Sequence, residues 1–285
     1  MMRIKRHDDE NYFGLFEDGM TIRFAKDPTL PILPLHHPEL EDICLGTLCD
    51  ANCPHCYAAA TREGVNFPDA LDHVREHFGG LDLNDRPFQV AIGGGGEPTL
   101  HPDLPMILET FRSLEIMPNI TTNGLHLSDE LLSAIERFAG GVAVSCHQHL
   151  EPAWQEAIEV LKPITRASLH IIIGEPGSAE RFWNIHDSQD GIDHFVALPY
   201  QALGRANHID VIPEWDLFFQ MAVEHRSEQI AFGASFFDHL QAHPDIRDEI
   251  EVITHEPEVL SGYRIMDDSF RLLRRSSMDP RPKFD

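Results

Sequence analysis

The chain has 285 residues, enough for one large domain or two small ones whose core needs no disulfide to stabilise it. Its net charge of −25 argues against broad nucleic-acid binding, because an acidic surface repels phosphate backbones. No segment approaches the roughly 20 apolar residues of a membrane helix, and the charged start of the chain lacks the apolar run of a secretory signal. We therefore expect a cytoplasmic protein with no membrane contact.

The N-terminal region predicts an arm that precedes the main domain. Residues 11–24 (NYFGLFEDGMTIRF) contain two aromatic and β-branched runs on either side of a turn at 17–19, which predicts a β-hairpin. A proline-rich connector follows at 27–41 and cannot form a regular helix. We assign residues 1–40 to this arm and connector.

The rest of the chain alternates between short apolar runs and segments of helical periodicity. Predicted strands cover residues 42–47, 88–94, 118–124, 141–146, 167–174, 193–200 and 229–236. Predicted helices cover residues 67–80, 103–116, 129–141, 152–162, 178–186 and 214–226. This alternation indicates right-handed βαβ units and a parallel sheet. About seven strands are too few for the usual eight-stranded barrel. We predict an α/β fold with a partial (β/α) barrel of about six to seven strands over 41–240, followed by a C-terminal cap or tail over 241–285.

Unusual residues follow four consecutive predicted strands. Cysteines follow the first strand and four glycines follow the second. Thr122 and Asn123 end the third strand, and Ser145, Cys146 and His147 end the fourth. Because sites in parallel α/β folds lie at the carboxyl ends of the strands, we expect these groups to form one site.

Three of the five cysteines, Cys49, Cys53 and Cys56, lie in the segment CDANCPHC. They make a poor disulfide framework and are typical of a metal or redox site in a reducing compartment. A structural zinc site prefers two separated pairs of ligands, and His55, between two cysteines, is poorly placed to chelate the same ion. An iron–sulfur cluster suits close thiolates in a loop, and three thiolates on four irons leave one iron open to a substrate or cofactor. The cysteines alone leave both interpretations open.

The spacing Cys49-x3-Cys53-x2-Cys56 resembles the signature of the radical S-adenosylmethionine (SAM) enzymes. Residues 91–102 (AIGGGGEPTLHP) resemble the glycine-rich segment that follows the second strand in that family. The similarity continues through 120–124 (ITTNG), Ser145 and 171–174 (IIIG), in the family's order. It implies a [4Fe–4S] cluster on the three cysteines, with SAM chelating the open iron. In the family, the reduced cluster cleaves SAM to methionine and a 5′-deoxyadenosyl radical, which takes a hydrogen atom from the substrate.

The same resemblance implies a set of SAM contacts. The residues concerned are Gly94, Gly95, Gly96, Glu97, Asn123, Ser145, Ile173 and His55. The glycines and Glu97 would hold the amino group, Ser145 the ribose or carboxylate, and the backbone near Ile173 would flank the adenine. His55 departs from the family pattern, because that position is usually aromatic and lies near the adenine.

Residues outside the shared core are candidates for catalysis or substrate binding. A Cys146 thiol at a strand end is a candidate catalytic group, with a buried packing cysteine as the alternative. His147, Tyr200, Gln201 and Arg205 are candidate substrate contacts, and Arg205 suits either a carboxylate or a structural salt bridge. Basic residues near the C-terminus predict either ion pairs with the acidic body or an anion pocket; they are Arg264, Arg271, Arg274, Arg275, Arg281 and Lys283.

We therefore expect an oxygen-sensitive enzyme that abstracts a hydrogen atom from a small-molecule or nucleotide-like substrate. The resemblance implies a small one-electron donor such as flavodoxin or ferredoxin. The sequence leaves too few cysteines for an auxiliary cluster. A peptide or a nucleic-acid base is the alternative substrate, and a non-catalytic iron–sulfur or zinc-binding protein is the alternative class.

Overall fold

The computed structural model describes residues 2–233, 236–244, 261–265 and 272–273. The strands in this part of the chain are β1 (Met2–His7), β2 (Tyr12–Glu17), β3 (Met20–Ala25), β4 (Leu40–Cys44), β5 (Gln89–Ile92), β6 (Met117–Thr122), β7 (Gly141–Ser145), β8 (Ala167–Ile173), β9 (His194–Pro199), β10 (Ile230–Phe232), β11 (Ser261–Ile265) and β12 (Leu272–Leu273). The helices are α1 (Ala70–His73), which continues as a π-helical turn at Val74–Phe78, α2 (Leu104–Ser113), α3 (Asp129–Phe138), α4 (Ala153–Leu161), α5 (Ser178–Ser188), α6 (Ile212–His225) and α7 (Phe237–Ala242).

The main sheet is a half-barrel of parallel strands. Its order in the described residues is β10-β9-β8-β7-β6-β5-β4-β11-β12. Strands β4 to β10 are the seven predicted from the sequence, and each pairs in parallel with its neighbour. The prediction of a partial barrel is therefore confirmed.

Two further strands come from the segment assigned to the C-terminal cap. Strand β11 pairs in parallel with β4, and β12 pairs antiparallel with β11. The predicted anion pocket of the C-terminus lies outside the described residues, except that Arg264 belongs to β11.

The N-terminal arm is a three-stranded antiparallel sheet. The predicted hairpin is β2 and β3, and the structure adds β1, which pairs with β2. Arg3 and Lys5 on β1 are buried against the half-barrel. The Lys5 ammonium donates hydrogen bonds of 3.1 Å to the carbonyls of Pro38, Asp85 and Arg86, and burial lowers its pKa to about 7. The charged sequence MRIKRH did not predict a strand, because a local pattern does not show that Arg3 and Lys5 turn inward to bind backbone carbonyls.

The core lies between the sheet and the helices on its convex side. Alternate strand residues face the helices, as shown by Val142 and Val144 of β7 and by Leu169 and Ile171 of β8. Helix α3 illustrates why a helix forms where predicted, since Ser128 caps its first turn by accepting a hydrogen bond from Leu131 N. Among the described residues, no helix is long and apolar enough to cross a membrane.

The alternate residues that face away from this core line the concave side of the half-barrel. They include Asp42, Ala91, Thr121, Ala143, Ser145 and His170. Most of these side chains are small or polar, which leaves room for a ligand inside the half-barrel. The carboxyl ends of β4 to β9 meet at one edge of this concave surface, where the loops that carry the candidate residues begin.

Candidate active site at the carboxyl edge of the half-barrel

The three clustered cysteines lie on a long loop that leaves β4 and returns to α1. We call residues 45–67 the cysteine loop. Its two ends are joined by backbone hydrogen bonds, from Thr47 N to Val65 O (2.8 Å) and from Cys49 N to Thr61 O (2.8 Å). These bonds close the base of the loop, so that its outer part projects from the edge of the sheet.

The thiols of this loop are close enough to influence one another. Cys53 is buried, whereas Cys49 and Cys56 are half-buried. Burial, followed by the neighbouring Cys49 and Cys56, raises the pKa of Cys53 to about 12, and burial also raises the pKa of Cys49. A cation would reverse this effect, since metal-bound cysteines coordinate as thiolates.

Arg205 holds the cysteine loop from the end of β9. Its Nε and Nη2 donate hydrogen bonds to Cys53 O (3.2 and 3.1 Å), and its Nη1 donates one to Ala60 O (2.6 Å). Its backbone N donates a fourth to Cys56 O (3.0 Å). Gly204 has φ +60, and a Cβ there would lie 2.3 Å from Tyr57 O. The guanidinium predicted as a substrate contact is thus engaged with backbone carbonyls of the cysteine loop.

The glycine segment packs directly against the base of the cysteine loop. Gly96 N donates to Gly46 O (2.6 Å), and Glu97 N donates to Leu48 O (2.8 Å). A Cβ on Gly96 would lie 2.4 Å from Leu48 O, so this close approach requires glycine. A Cβ on Gly95 would lie 2.2 Å from the Sγ of the buried Cys44, so the close packing of these two residues requires glycine.

Gly94 has φ +75, a conformation that favours glycine. Its carbonyl accepts a hydrogen bond of 3.0 Å from the hydroxyl of Tyr57. Burial raises the pKa of Tyr57, so the hydroxyl remains a donor at neutral pH. The glycine segment is therefore joined to the cysteine loop both at its base and near its third cysteine.

The Glu97 carboxylate connects the glycine segment to the end of β6. Its Oε1 accepts hydrogen bonds from the hydroxyls of Thr122 (2.7 Å) and Thr99 (2.8 Å) and from Thr99 N (3.2 Å). Its Oε2 accepts one from Asn123 N (2.8 Å). Burial raises the pKa of Glu97, and these hydrogen bonds oppose that shift. Oε2 accepts fewer hydrogen bonds than Oε1 and keeps capacity for a further donor.

Three histidines lie beside the cysteine loop. His55 Nε2 is 3.1 Å from His147 Nδ1, and the ring of His149 lies 5.7 Å from that of His147. The ligand atoms of Cys53, His55 and His147 all lie within 4.8 Å of one another. Burial lowers the pKa of His147 to about 3, so its imidazole is neutral at pH 7. The sequence thus placed His55 and His147 in one site, as the structure does.

Asn123, Ser145 and Ile173 all lie at the same edge, on neighbouring strands. Asn123 Nδ2 is 4.0 Å from the Sγ of Cys49. Ser145 ends β7 on the concave side. Ile173 has its side chain in the core, and its carbonyl accepts hydrogen bonds from Tyr200 N and Trp215 Nε1, both of 2.8 Å.

Cys146 does not face this site. Its side chain is 1% exposed and packs in the core with Val142 and Val144, on the convex side of the sheet. Burial raises the pKa of its thiol, whose hydrogen-bond acceptor is Val144 O at 3.7 Å. This position is at odds with the predicted catalytic role. Neighbouring residues of a strand point to opposite faces, so Ser145 faces the concave side and Cys146 faces the core.

The remaining candidates, Tyr200 and Gln201, follow β9. Tyr200 is buried, and its hydroxyl donates a hydrogen bond to Asn207 O (3.1 Å). Gln201 is half-buried on the same loop, ahead of Arg205. Both lie beside the site as parts of the loop that holds Arg205.

Two titratable residues of the concave face were not singled out from the sequence. Asp42 lies on β4, where solvent reaches its side chain, yet the surrounding protein raises its pKa to about 6, with Glu41 adding to the shift. His170 lies on β8 as the register partner of Ser145, and burial lowers its pKa to about 4. The sequence signal that could have found them is a polar residue next to buried apolar residues within a strand, as in DIC (42–44) and LHI (169–171).

The donor set fits an iron–sulfur cluster with one open iron. All five cysteines lie among the described residues, and none forms a disulfide. Cys44 and Cys146 are buried at positions outside the cysteine loop, so the loop itself offers three thiols. Close thiols on a loop braced by backbone hydrogen bonds are suited to such a cluster.

Comparisons with known proteins identify the same family. Residues 43–171 match the family model of the radical SAM superfamily. A 7,8-dihydro-6-hydroxymethylpterin dimethyltransferase of Methanocaldococcus jannaschii is 28% identical over 91 residues, which are 32% of this chain and 18% of that protein. An Fe-coproporphyrin III synthase of Methanosarcina barkeri is 26% identical over 132 residues, 44% of this chain and 32% of that protein. The chain therefore aligns with a third or less of each curated relative.

The fold is also similar to that of solved radical SAM structures. SuiB of Streptococcus suis, bound to S-adenosylmethionine, superposes with a TM-score of 0.67 at 17% identity, over 88% of this chain and 64% of SuiB. The anSMEcpe protein, with bound AdoMet and the Cp18Cys peptide, superposes with a TM-score of 0.58 at 12% identity, over 86% of this chain and 75% of its own. At these identities the likeness concerns the fold. Because the half-barrel and the family model agree, we conclude that residues 43–171 form a domain of the radical SAM superfamily, as the cysteine spacing predicted.

Proposed function

We propose that the protein is a radical SAM enzyme that holds one [4Fe–4S] cluster on Cys49, Cys53 and Cys56. When bound, the cluster and SAM together supply the carbon radical that takes a hydrogen atom from a substrate. The protein contributes the three thiolates, the contacts that orient SAM and the walls that exclude water from the reacting atoms. A small one-electron donor such as flavodoxin or ferredoxin would reduce the cluster.

The observation that carries this proposal is the bracing of the cysteine loop. The glycine segment holds the base of the loop, and Arg205 holds its outer part. Cluster ligands and the proposed SAM contacts are thereby fixed relative to one another, as a site that binds SAM on the open iron requires.

The proposed SAM contacts follow the strand ends. Gly94, Gly95 and Gly96 would offer backbone groups to the amino group, and Glu97 would add its Oε2. Ser145 would contact the ribose or carboxylate from the concave face. We assign His55 the position beside the adenine, with His147 fixing the orientation of its ring through their 3.1 Å contact. Asn123 would lie next to the cluster, near Cys49.

We propose a small polar molecule as the substrate, bound inside the half-barrel. The concave face offers a carboxyl group, Asp42, and a neutral imidazole, His170, among small side chains. The curated relatives carry names that refer to a pterin and a coproporphyrin, both small molecules. A peptide or a nucleic-acid base is the alternative substrate.

A non-catalytic iron–sulfur or zinc-binding protein is the competing class. The constellation of Cys53, His55 and His147 gives this alternative a structural basis, since nitrogen and sulfur ligands suit zinc. It predicts a zinc ion or a catalytically inert cluster in the cysteine loop, and SAM that is neither bound nor consumed.

The decisive experiment is anaerobic reconstitution with iron and sulfide, followed by dithionite and SAM, with 5′-deoxyadenosine measured by chromatography. We expect about four irons per chain, as a [4Fe–4S] cluster requires, and 5′-deoxyadenosine release that Cys53→Ala abolishes. Cys44→Ala is the matched control, because it removes a thiol outside the cysteine-ligand set. Zinc in place of iron that Cys53→Ala removes, or a cluster that never cleaves SAM, would refute the proposal.

A further inference from the structure

A second group of potential metal ligands lies away from the cysteine loop, between α6 and α7. Asp216 comes from α6, His239 from α7, and His243 from the residue that follows α7. The ligand atoms of all three lie within 4.8 Å of one another. The two imidazole rings are 4.6 Å apart.

The central ligand of this group, His239, is held in place by aromatic side chains. Its ring packs edge-on against Trp215 at 5.2 Å and stacks on Phe219 at 5.5 Å. The residue is 9% exposed. A buried imidazole that is fixed by two rings presents its nitrogen in one direction. Such a histidine is better suited to bind a metal ion than a mobile histidine on the surface.

The Nε2 atom of His239 has no hydrogen-bond partner among the described residues. His239 Nε2 is buried and makes no hydrogen bond within the described part of the chain, although Asp216 Oδ1 lies only 3.4 Å away. Buried polar atoms without a partner are uncommon and call for an explanation such as a bound ion. In tetrahedral zinc sites with metal–ligand distances near 2.05 Å, ligand atoms lie about 3.3 Å apart. Asp216 Oδ1 and His239 Nε2, which are 3.4 Å apart, already have about this spacing.

We propose that Asp216, His239 and His243 bind a divalent transition-metal ion, with Zn²⁺ as the best match. Two histidines four residues apart, completed by a carboxylate, form a common zinc ligand set. The Asp216 side chain is 50% exposed, so the fourth position opens to water. The ion would join α6 to α7 on the helical side of the half-barrel, independently of the cluster.

The test measures zinc on the cluster-loaded protein, whose cysteine loop is already occupied. Anaerobic calorimetry should detect one Zn²⁺ site, and His243→Ala and Asp216→Asn should each weaken it at least tenfold. Both substituted residues are at least partly exposed, so the fold should tolerate the changes. His208→Ala, an exposed histidine in the loop before α6, is the matched control and should bind as the wild type does.

X-ray absorption at the zinc edge then identifies the ligands. We expect a shell of nitrogen and oxygen near 2.0–2.1 Å that includes imidazole, with no sulfur near 2.3 Å. Sulfur in the shell, no zinc binding, or unchanged binding in both site variants would overturn the proposal and leave an ordinary Asp216–His239 contact.

Discussion

Removal of the Arg205 guanidinium should release the outer part of the cysteine loop without unfolding the half-barrel. The side chain makes three hydrogen bonds to Cys53 O and Ala60 O. A hydrogen bond from a charged group contributes about 1.5–3 kcal/mol. Two of the three share one acceptor, so we count two independent bonds and take the lower value for a half-buried side chain, about 3 kcal/mol in total.

A loss of about 3 kcal/mol raises the opening equilibrium of the loop roughly 100-fold, since 1.4 kcal/mol is a factor of ten. The assay is the rate at which a ferrous chelator bleaches the reconstituted cluster under anaerobic conditions. Arg205→Ala should bleach at least tenfold faster than the wild type. Arg205→Lys should fall between the two, because it keeps the charge and loses the planar fork.

Arg62 provides the matched control. It also donates to a carbonyl of the cysteine loop, Asp50 O, but through one long contact of 3.4 Å at the surface. Arg62→Ala should therefore bleach at the wild-type rate. If Arg205→Ala bleaches within twofold of the wild type while folded by circular dichroism, the bracing role of Arg205 is wrong.

Three further predictions follow from the same geometry. Glu97→Ala should weaken SAM binding at constant iron content. It should also lower the free energy of unfolding by about 2–4 kcal/mol, because the buried donors at Thr122 and Asn123 lose their acceptor. A loss of iron equal to that of a cysteine variant, without a separate effect on SAM binding, would contradict the assignment. Cys146→Ala should retain 5′-deoxyadenosine formation, while its free energy of unfolding, measured by urea denaturation, should fall by about 1–2 kcal/mol because of the cavity left in the core. Loss of 5′-deoxyadenosine formation at unchanged stability would instead support a catalytic role. The raised pKa of Asp42, about 6 in the folded protein, means that the folded state binds more protons than the unfolded state between about pH 4 and 6. Its contribution to the free energy of unfolding should therefore fall as pH rises through this range, and the difference between wild type and Asp42→Asn should vary with pH there and be constant above about pH 7.

The sequence predicted the half-barrel well because its signals were local. Most strands from β4 to β10 are short segments rich in apolar residues, and helices such as α3 carry their own caps. Strand β1 was missed because its buried Lys5 and Arg3 gain their partners from distant carbonyls. No local pattern indicates that β11 would return to pair with β4.

The candidate site was predicted at the level of residue type but only partly at the level of orientation. The cysteines, glycines and histidines were expected together, since strand ends meet at one edge. Arg205 was considered a carboxylate ligand because its carbonyl partners, such as Cys53 O, lie 152 residues away in the chain. Cys146 was considered catalytic because its place one residue beyond Ser145 does not reveal which face its side chain takes.

The distance along the chain between the cysteines and Arg205 has a consequence for biosynthesis. A ribosome adding about 5–20 residues per second needs about 8–30 s to extend the chain from Cys53 to Arg205. During that interval the thiols of the nascent chain are exposed on a loop without its outer brace. We therefore expect iron to enter the cysteine loop only after the sixth parallel strand, β9, has been translated. Slow elongation between Cys53 and Arg205 would lengthen the time in which the thiols can be oxidised.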